Sequence, residues 1–171
     1  TLDLNGYAIT SGYQSGSTTK HIYPFNNYGK LTIQDSKGEG SINGRGVYNR
    51  DGATLTVNQA KIIAEDSNGG ACIWSYGNGE VYLNDATFVG YTGCVSSEGY
   101  LEINGGTYTC YSGIQDDGTQ ATSPTYNIRA YNGLKITDGE FTSRHGVISL
   151  GGGVGLIENG SYTIQFKAAT T

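Results

Sequence analysis

Along the chain one short pattern of apolar and polar positions keeps returning: apolar, polar, apolar, polar, a turn residue, and a bulky side chain a few positions later. It reads Leu2-Asp3-Leu4-Asn5-Gly6 leading to Ile9, Leu55-Thr56-Val57-Asn58-Gln59 to Ile62, and Val81-Tyr82-Leu83-Asn84-Asp85 to Phe88. Leu101-Glu102-Ile103-Asn104-Gly105 leads likewise to Tyr108, and Leu134-Lys135-Ile136-Thr137-Asp138 to Phe141. Two copies are weaker: Leu31-Thr32-Ile33-Gln34-Asp35 reaches Gly38 where a bulky residue is expected, and Gly155-Leu156-Ile157-Glu158-Asn159 starts on glycine but recovers at Tyr162. Alternation with period two puts the apolar residues of each copy on one face of a short strand.

The copies begin at positions 2, 31, 55, 81, 101, 134 and 155, an average step of about 25 residues, which suits one unit of a solenoid. A further strand precedes most copies: Gly46-Val47-Tyr48-Asn49, Ala71-Cys72-Ile73-Trp74, Gly93-Cys94-Val95-Ser96, Gly113-Ile114-Gln115 and Gly146-Val147-Ile148-Ser149. No apolar pattern of helical period runs long enough for a helix, so the strands must pair from coil to coil. Parallel pairing stacks equivalent positions about 4.8 Å apart. It predicts ladders of Leu2, Leu31, Leu55, Val81, Leu101 and Leu134, of Leu4, Ile33, Val57, Leu83, Ile103 and Ile136, and of Ile9, Ile62, Phe88, Tyr108, Phe141 and Tyr162. Asn5, Gln34, Asn58, Asn84 and Asn104 form a fourth column at the turn, where amides can bond along the stack and Asn tolerates a left-handed backbone. An antiparallel sandwich shares the short strands and glycine turns but leaves the repeat unexplained. The fold class expected is therefore all-β, a right-handed parallel β-helix of about seven coils, forming one domain over residues 1–171.

Composition narrows the role. Ten Lys and Arg against 15 Asp and Glu give a charge of -5, with no basic stripe for phosphates, so nucleic acid is not an expected partner. No apolar run is long enough for a membrane span, and there is no signal-peptide pattern at the start. A chain beginning at Thr1 reads as a processed mature protein or an excerpt. Cys72, Cys94 and Cys110 lack zinc-ligand spacing and read as small core residues. The long steps contain segments from Gly12 to Thr19 and from Asp117 to Thr125 with the composition of surface insertions.

The repeat as a whole resembles the pectin-lyase-like superfamily of right-handed parallel β-helices, in the style of bacterial surface proteins and phage fibres. Several members cleave acidic polysaccharides. Ile114-Gln115-Asp116-Asp117-Gly118 resembles the paired aspartates of polygalacturonases, and Arg144-His145-Gly146 their glycine-histidine-glycine segment. Paired carboxylates with a nearby imidazole supply the acid and base of glycoside hydrolysis. Yet Arg144 stands where that family has glycine, and its Asn-Thr-Asp and Arg-Ile-Lys segments are missing. A lyase-type calcium site would have to draw on Asp116, Asp117, Asp138 and Arg129. No metal or cofactor is expected on this reading.

Aromatic side chains point elsewhere. Fourteen Tyr and Trp74 exceed what the core ladders can hold, so some lie outside, where flat rings stack on sugars or on a neighbouring subunit. Tyr76, Tyr111, Tyr126 and Tyr131 are the glycan-contact candidates, and Tyr23, Tyr28, Tyr48 and Tyr91 fall on strands or loops as well. Ice binding is set aside, because the outward positions Asp3, Thr32, Thr56, Tyr82, Glu102 and Lys135 are too mixed for a flat lattice. Strand alternation further predicts that Tyr48, Ile73, Val95 and Ile148 face outward as an apolar stripe for a partner chain. The open first and last coils are expected to stack end to end. The resulting expectation is an extracellular structural or adhesive rod, on a cell surface or virion, that self-associates end to end or laterally and contacts glycans. The alternative is a polysaccharide-degrading enzyme.

Overall fold

The computed structural model describes residues 1–11, 23–64, 70–111, 126–143, 146–152 and 155–164. All regular structure among them is extended. Coil by coil, the strands are β1 (Leu2–Asp3), β2 (Ala8–Thr10) and β3 (Phe25–Asn27); β4 (Lys30–Gln34), β5 (Ser41–Asn43) and β6 (Val47–Asn49); β7 (Thr54–Asn58), β8 (Lys61–Ala64) and β9 (Ala71–Ser75). They continue with β10 (Glu80–Asn84), β11 (Thr87–Gly90) and β12 (Gly93–Ser97), then β13 (Leu101–Cys110) and β14 (Tyr126–Ala130), β15 (Leu134–Ser143) and β16 (Gly146–Leu150), and finally β17 (Gly155–Ile157) and β18 (Ser161–Ile164). Every pairing is parallel, and β13 and β15 each serve as first and second strand of their coil. First and second strands belong to one 12-stranded sheet, and third strands form a separate sheet ordered β16-β14-β12-β9-β6-β3. The chain is a parallel β-helix. It makes about five turns, against the seven coils expected from the copies of the sequence pattern; the six third strands are separated by five coil-to-coil steps.

The predicted first-strand ladders form from the second coil on. Leu31, Leu55, Val81, Leu101 and Leu134 stack in register, as do Ile33, Val57, Leu83, Ile103 and Ile136. On the second strands the column is Ile9, Ile42, Ile62, Phe88, Tyr108, Phe141 and Tyr162. Its four aromatic rings lie nearly parallel, with centroids 5.2, 4.8 and 5.0 Å apart, so the strand spacing itself sets the stacking distance. Ile42, rather than a residue near Gly38, fills the weak second copy, because the corner there is longer. Buried Asp35 organises that corner by accepting from the backbone N–H groups of Gly6, Lys37 and Gly40.

The longer corner also moves the first coil by two residues. Leu2 pairs with Ile33 and Asp3 with Gln34, so Asp3, not Asn5, adjoins the amide column, and Leu4 is buried over the widened corner. Gln34 Nε2 donates to Asp3 Oδ2 at 3.1 Å, while the amides of Ser36 and Asn5 donate to Oδ1 at 3.0 and 2.9 Å. Farther along, Asn84 Nδ2 donates to Asn58 Oδ1 at 2.8 Å and Asn104 Nδ2 to Asn84 Oδ1 at 3.1 Å. Thr137, in a register shift of β15 against β13, closes the row with its hydroxyl on Asn104 Oδ1 at 2.8 Å. Left-handed residues come one position after the amides, at Gln59, Asp85 and Gly105, with φ of 50, 50 and 90°, and in the first coil at Asn5 itself, with φ of 48°. Small residues follow them, since a Cβ on Gly106 would lie 2.2 Å from the Ala86 carbonyl oxygen.

The return corner, from third strand to first, is held from inside by a polar column of Asn27, Asn49, Ser75 and Ser97, all buried. Asn27 Nδ2 donates to Asn49 Oδ1 at 2.8 Å, and Asn49 Nδ2 lies within 3.1 to 3.2 Å of Ser75 Oγ and the carbonyls of Ala53 and Glu80. These groups satisfy turn carbonyls that the ladder cannot reach.

Two outcomes follow from this architecture. Tyr108→Ala opens a cavity in the aromatic ladder and is expected to cost about 3–5 kcal/mol, whereas Tyr108→Phe loses only the hydroxyl bond to Gly105 and costs about 1 kcal/mol. Urea denaturation measures both, and a cost for the alanine variant no greater than for phenylalanine refutes the ladder's role. The second concerns acid. Three hydrogen-bond donors, the Ser36 amide foremost, lower the Asp3 carboxyl from 3.8 to about 2. A depressed folded-state value contributes stability above the unfolded value, lost as pH falls through the window from 3.8 to about 2. Asp3→Asn is expected to flatten the acid limb of a thermal-stability profile in that window, and an unchanged limb contradicts the assignment.

Candidate functional site

On the third-strand sheet, side chains two residues apart point outward in two adjacent columns. The first holds Asn26, Tyr48, Trp74, Ser96, Arg129 and Ser149. The second, at the strand ends, holds Tyr28, Arg50, Tyr76, Glu98, Tyr131 and Gly151, since the amides of Arg50, Tyr76, Glu98, Tyr131 and Gly151 bond to the carbonyls of Asn27, Asn49, Ser75, Ser97 and Ala130, each the residue just before this column in the coil below. Over three successive coils this face is aromatic with one cation at its centre: Tyr28, Tyr48, Arg50, Trp74 and Tyr76. Tyr28 is 75%, Tyr76 50% and Trp74 39% exposed.

Packing fixes the patch. The Tyr48 ring lies 6.4 Å from Trp74 and 5.6 Å from Tyr23. Tyr23 is buried with its hydroxyl on the Ala71 carbonyl at 3.3 Å, and burial, partly opposed by Arg45, pushes its phenol up to about 12. Arg45 Cζ stands 5.2 Å from the Tyr23 ring centre. Arg50 Cζ lies 3.9 Å from the centre of the Tyr48 ring and 5.3 Å from that of Tyr28, with Nη2 donating to Asn26 Oδ1 at 2.8 Å. Its Nε is shielded from solvent and meets no acceptor. The guanidinium is thus held over a ring by cation–π contact and forms no ion pair among the described residues.

The sites expected from sequence distribute unevenly. Tyr76 and Tyr131 stand in one outward column, separated by Glu98. Tyr111 is exposed at a different corner, after β13, and Tyr126 is half-buried at the start of β14 with Arg129 Cζ 5.8 Å from its ring centre. The stripe of Tyr48, Ile73, Val95 and Ile148 does not exist. Ile73 and Val95 are fully buried and stack between Val47 and Ile128 in the inward column, where Ile148 packs partly buried, and only Tyr48 faces out. Alternation misleads because each third strand starts at a corner. There Cys72 and Cys94 are also buried, their thiols donating to the carbonyls of Ile62, Val89, Phe88 and Thr109. Asp116, Asp117, Arg144 and His145 lie outside the described residues. Asp138 sits at a first-to-second-strand corner and Arg129 on a third strand, and no group of three or more His, Cys, Asp or Glu suited to a metal occurs among the described residues. Arg50 was not legible as a site residue, although its place two residues after Tyr48, matching Tyr76 after Trp74, was the available signal.

A second outward cluster, on the first strands, is closed on itself. The Tyr100 hydroxyl donates to Glu102 Oε2 at 3.0 Å, and Lys135 Nζ meets Glu102 Oε1 at 3.3 Å. Desolvation and then Glu102 push the Tyr100 phenol up to about 12. No helix among the described residues is long and apolar enough to cross a membrane. Comparison with protein-family models, with curated proteins and with solved structures finds no match to this chain.

Burial pushes the Cys72 thiol up to about 12 and the Cys94 thiol well above its usual value. Neither is a nucleophile at neutral pH. With a thiol-exchange reagent at pH 8, both are expected to stay unlabelled in the native protein and to react fully in urea, as peptide mass mapping would read. Rapid native labelling of Cys72 contradicts this packing.

Proposed function

We propose that the protein is an extracellular structural or adhesive rod that contacts glycans through the outward face of its third-strand sheet. The observation that carries this reading is the row of exposed Tyr28, Trp74 and Tyr76 around Tyr48 and Arg50, on strands paired coil to coil. Rigid rings with one apolar face and little rotamer freedom are what sugar rings stack upon. The spacing from coil to coil, about 4.8 Å, is close to the length of one pyranose unit, so a glycan running along the rod meets one ring position per coil. Self-association remains part of the proposal. Leu150, Leu156, Ile157 and Tyr162, exposed on the last described coils, favour end-to-end contact, which a concentration series in the ultracentrifuge would test.

A glycan microarray tests the central claim. The native chain is expected to bind a subset of glycans, and Trp74→Ala, whose side chain lies outside the core, to lose at least about tenfold in affinity with an unchanged unfolding temperature. Absence of binding to any glycan, or retention of full binding by Trp74→Ala, refutes the reading.

A further inference from the structure

Resting on that reading, we infer that the face selects a glycan carrying a single acidic sugar, with its carboxylate received by Arg50 and neutral rings stacked on Trp74 and Tyr28. Arg50 is the central cation of the patch. Its Cζ lies 3.9 Å over the Tyr48 ring, so its planar fork is oriented before any ligand arrives. Among the described residues its one hydrogen-bond acceptor is Asn26 Oδ1, at 2.8 Å. A carboxylate fits this fork with two parallel N–H···O bonds, and arginine pairs with it in a way lysine cannot.

Other charges around Arg50 limit the number of acids. Asp51 Oδ1 already accepts from the Asn78 amide at 2.8 Å, and Glu98 Oε2 from the Gly77 amide at 2.9 Å. Glu98 stands two positions along the Arg50 column, after Tyr76. A polymer with a carboxylate on every ring would place one against Glu98, at a repulsive cost comparable with the gain at Arg50. The chain's overall charge of -5 disfavours polyanions further. A lone acidic residue at the end of an otherwise neutral oligosaccharide avoids both penalties.

Titrations followed by NMR, using 3′-sialyllactose, lactose and hexagalacturonate as probes, test the inference. The native protein is expected to bind 3′-sialyllactose at least about fivefold more tightly than lactose, as one charge-assisted contact in partial solvent would give, and more tightly than hexagalacturonate. Arg50→Gln is expected to reduce the ratio of 3′-sialyllactose to lactose to about one, and Arg50→Lys to restore it only in part. Should Arg50→Gln fail to fold, the native ratio is read in low and high salt, where it is expected to fall as salt rises. A native ratio near one with lactose still bound, a ratio unaffected by Arg50→Gln or by salt, or tighter binding of hexagalacturonate overturns the single-acid inference and leaves the glycan reading standing. If Trp74→Ala binds every probe as the native chain does, or no probe binds, the glycan reading falls and the inference with it.

Discussion

Everything in this molecule follows from in-register parallel pairing, which sets each residue about 4.8 Å above its counterpart in the coil below. At that distance a side chain's principal neighbour is the residue with the same role one coil away. Apolar columns close the core because Ile33, Val57, Leu83 and Ile103 present similar shapes to one another. Phe88, Tyr108 and Phe141 stack nearly parallel because the backbone offers their rings no other separation. The same repetition acts outside the core, where it gathers Tyr28, Arg50 and Tyr76 into one column although 22 and 26 positions separate neighbours in the sequence.

The three corners differ in how tightly they are held, and chain length varies accordingly. The corner from first to second strand needs a left-handed residue followed by a small one, as at Gln59-Ala60, Asp85-Ala86 and Gly105-Gly106. The return corner is pinned from inside by Asn49, Ser75 and their neighbours. Between second and third strands the restraint is lighter, a thiol or the Asn127 amide bonded to nearby carbonyls. That is where the connection runs from Gly90 to Gly93 in one coil and from Cys110 to Tyr126 in the next. Insertions accumulate where they disturb the fewest buried polar groups.

Much of the fold was legible because period-two alternation, repeated at intervals of one coil, has few other solutions. The inward positions of the first and second strands were read directly, as was the amide row from Asn58 to Asn104. The departures share a cause. The register of the first coil depends on how Asp3 and Asp35 bind backbone amides of a neighbouring corner, interactions between residues 33 and 29 positions apart that no local pattern announces. Ile73 and Val95 were assigned to the wrong face because the corner buries two consecutive residues, Cys72 with Ile73 and Cys94 with Val95. Trp74 and Tyr76 could be recognised as surplus aromatics, but their convergence with Arg50 required knowing which coils are adjacent.

The buried polar column has a consequence for how the coils may be rearranged. Asn49 hydrogen-bonds to Asn27 below it and to Ser75 above it, so each coil carries the complement of its own neighbours as well as a share of a common core. Two coils with equally apolar interiors are therefore not exchangeable parts. Setting the coil of Ala130 beside that of Asn49 would leave the amide facing a methyl group and strand one of its bonds. The apolar ladders make stacking favourable in any order, and the amides and hydroxyls among them write the order in which the coils belong.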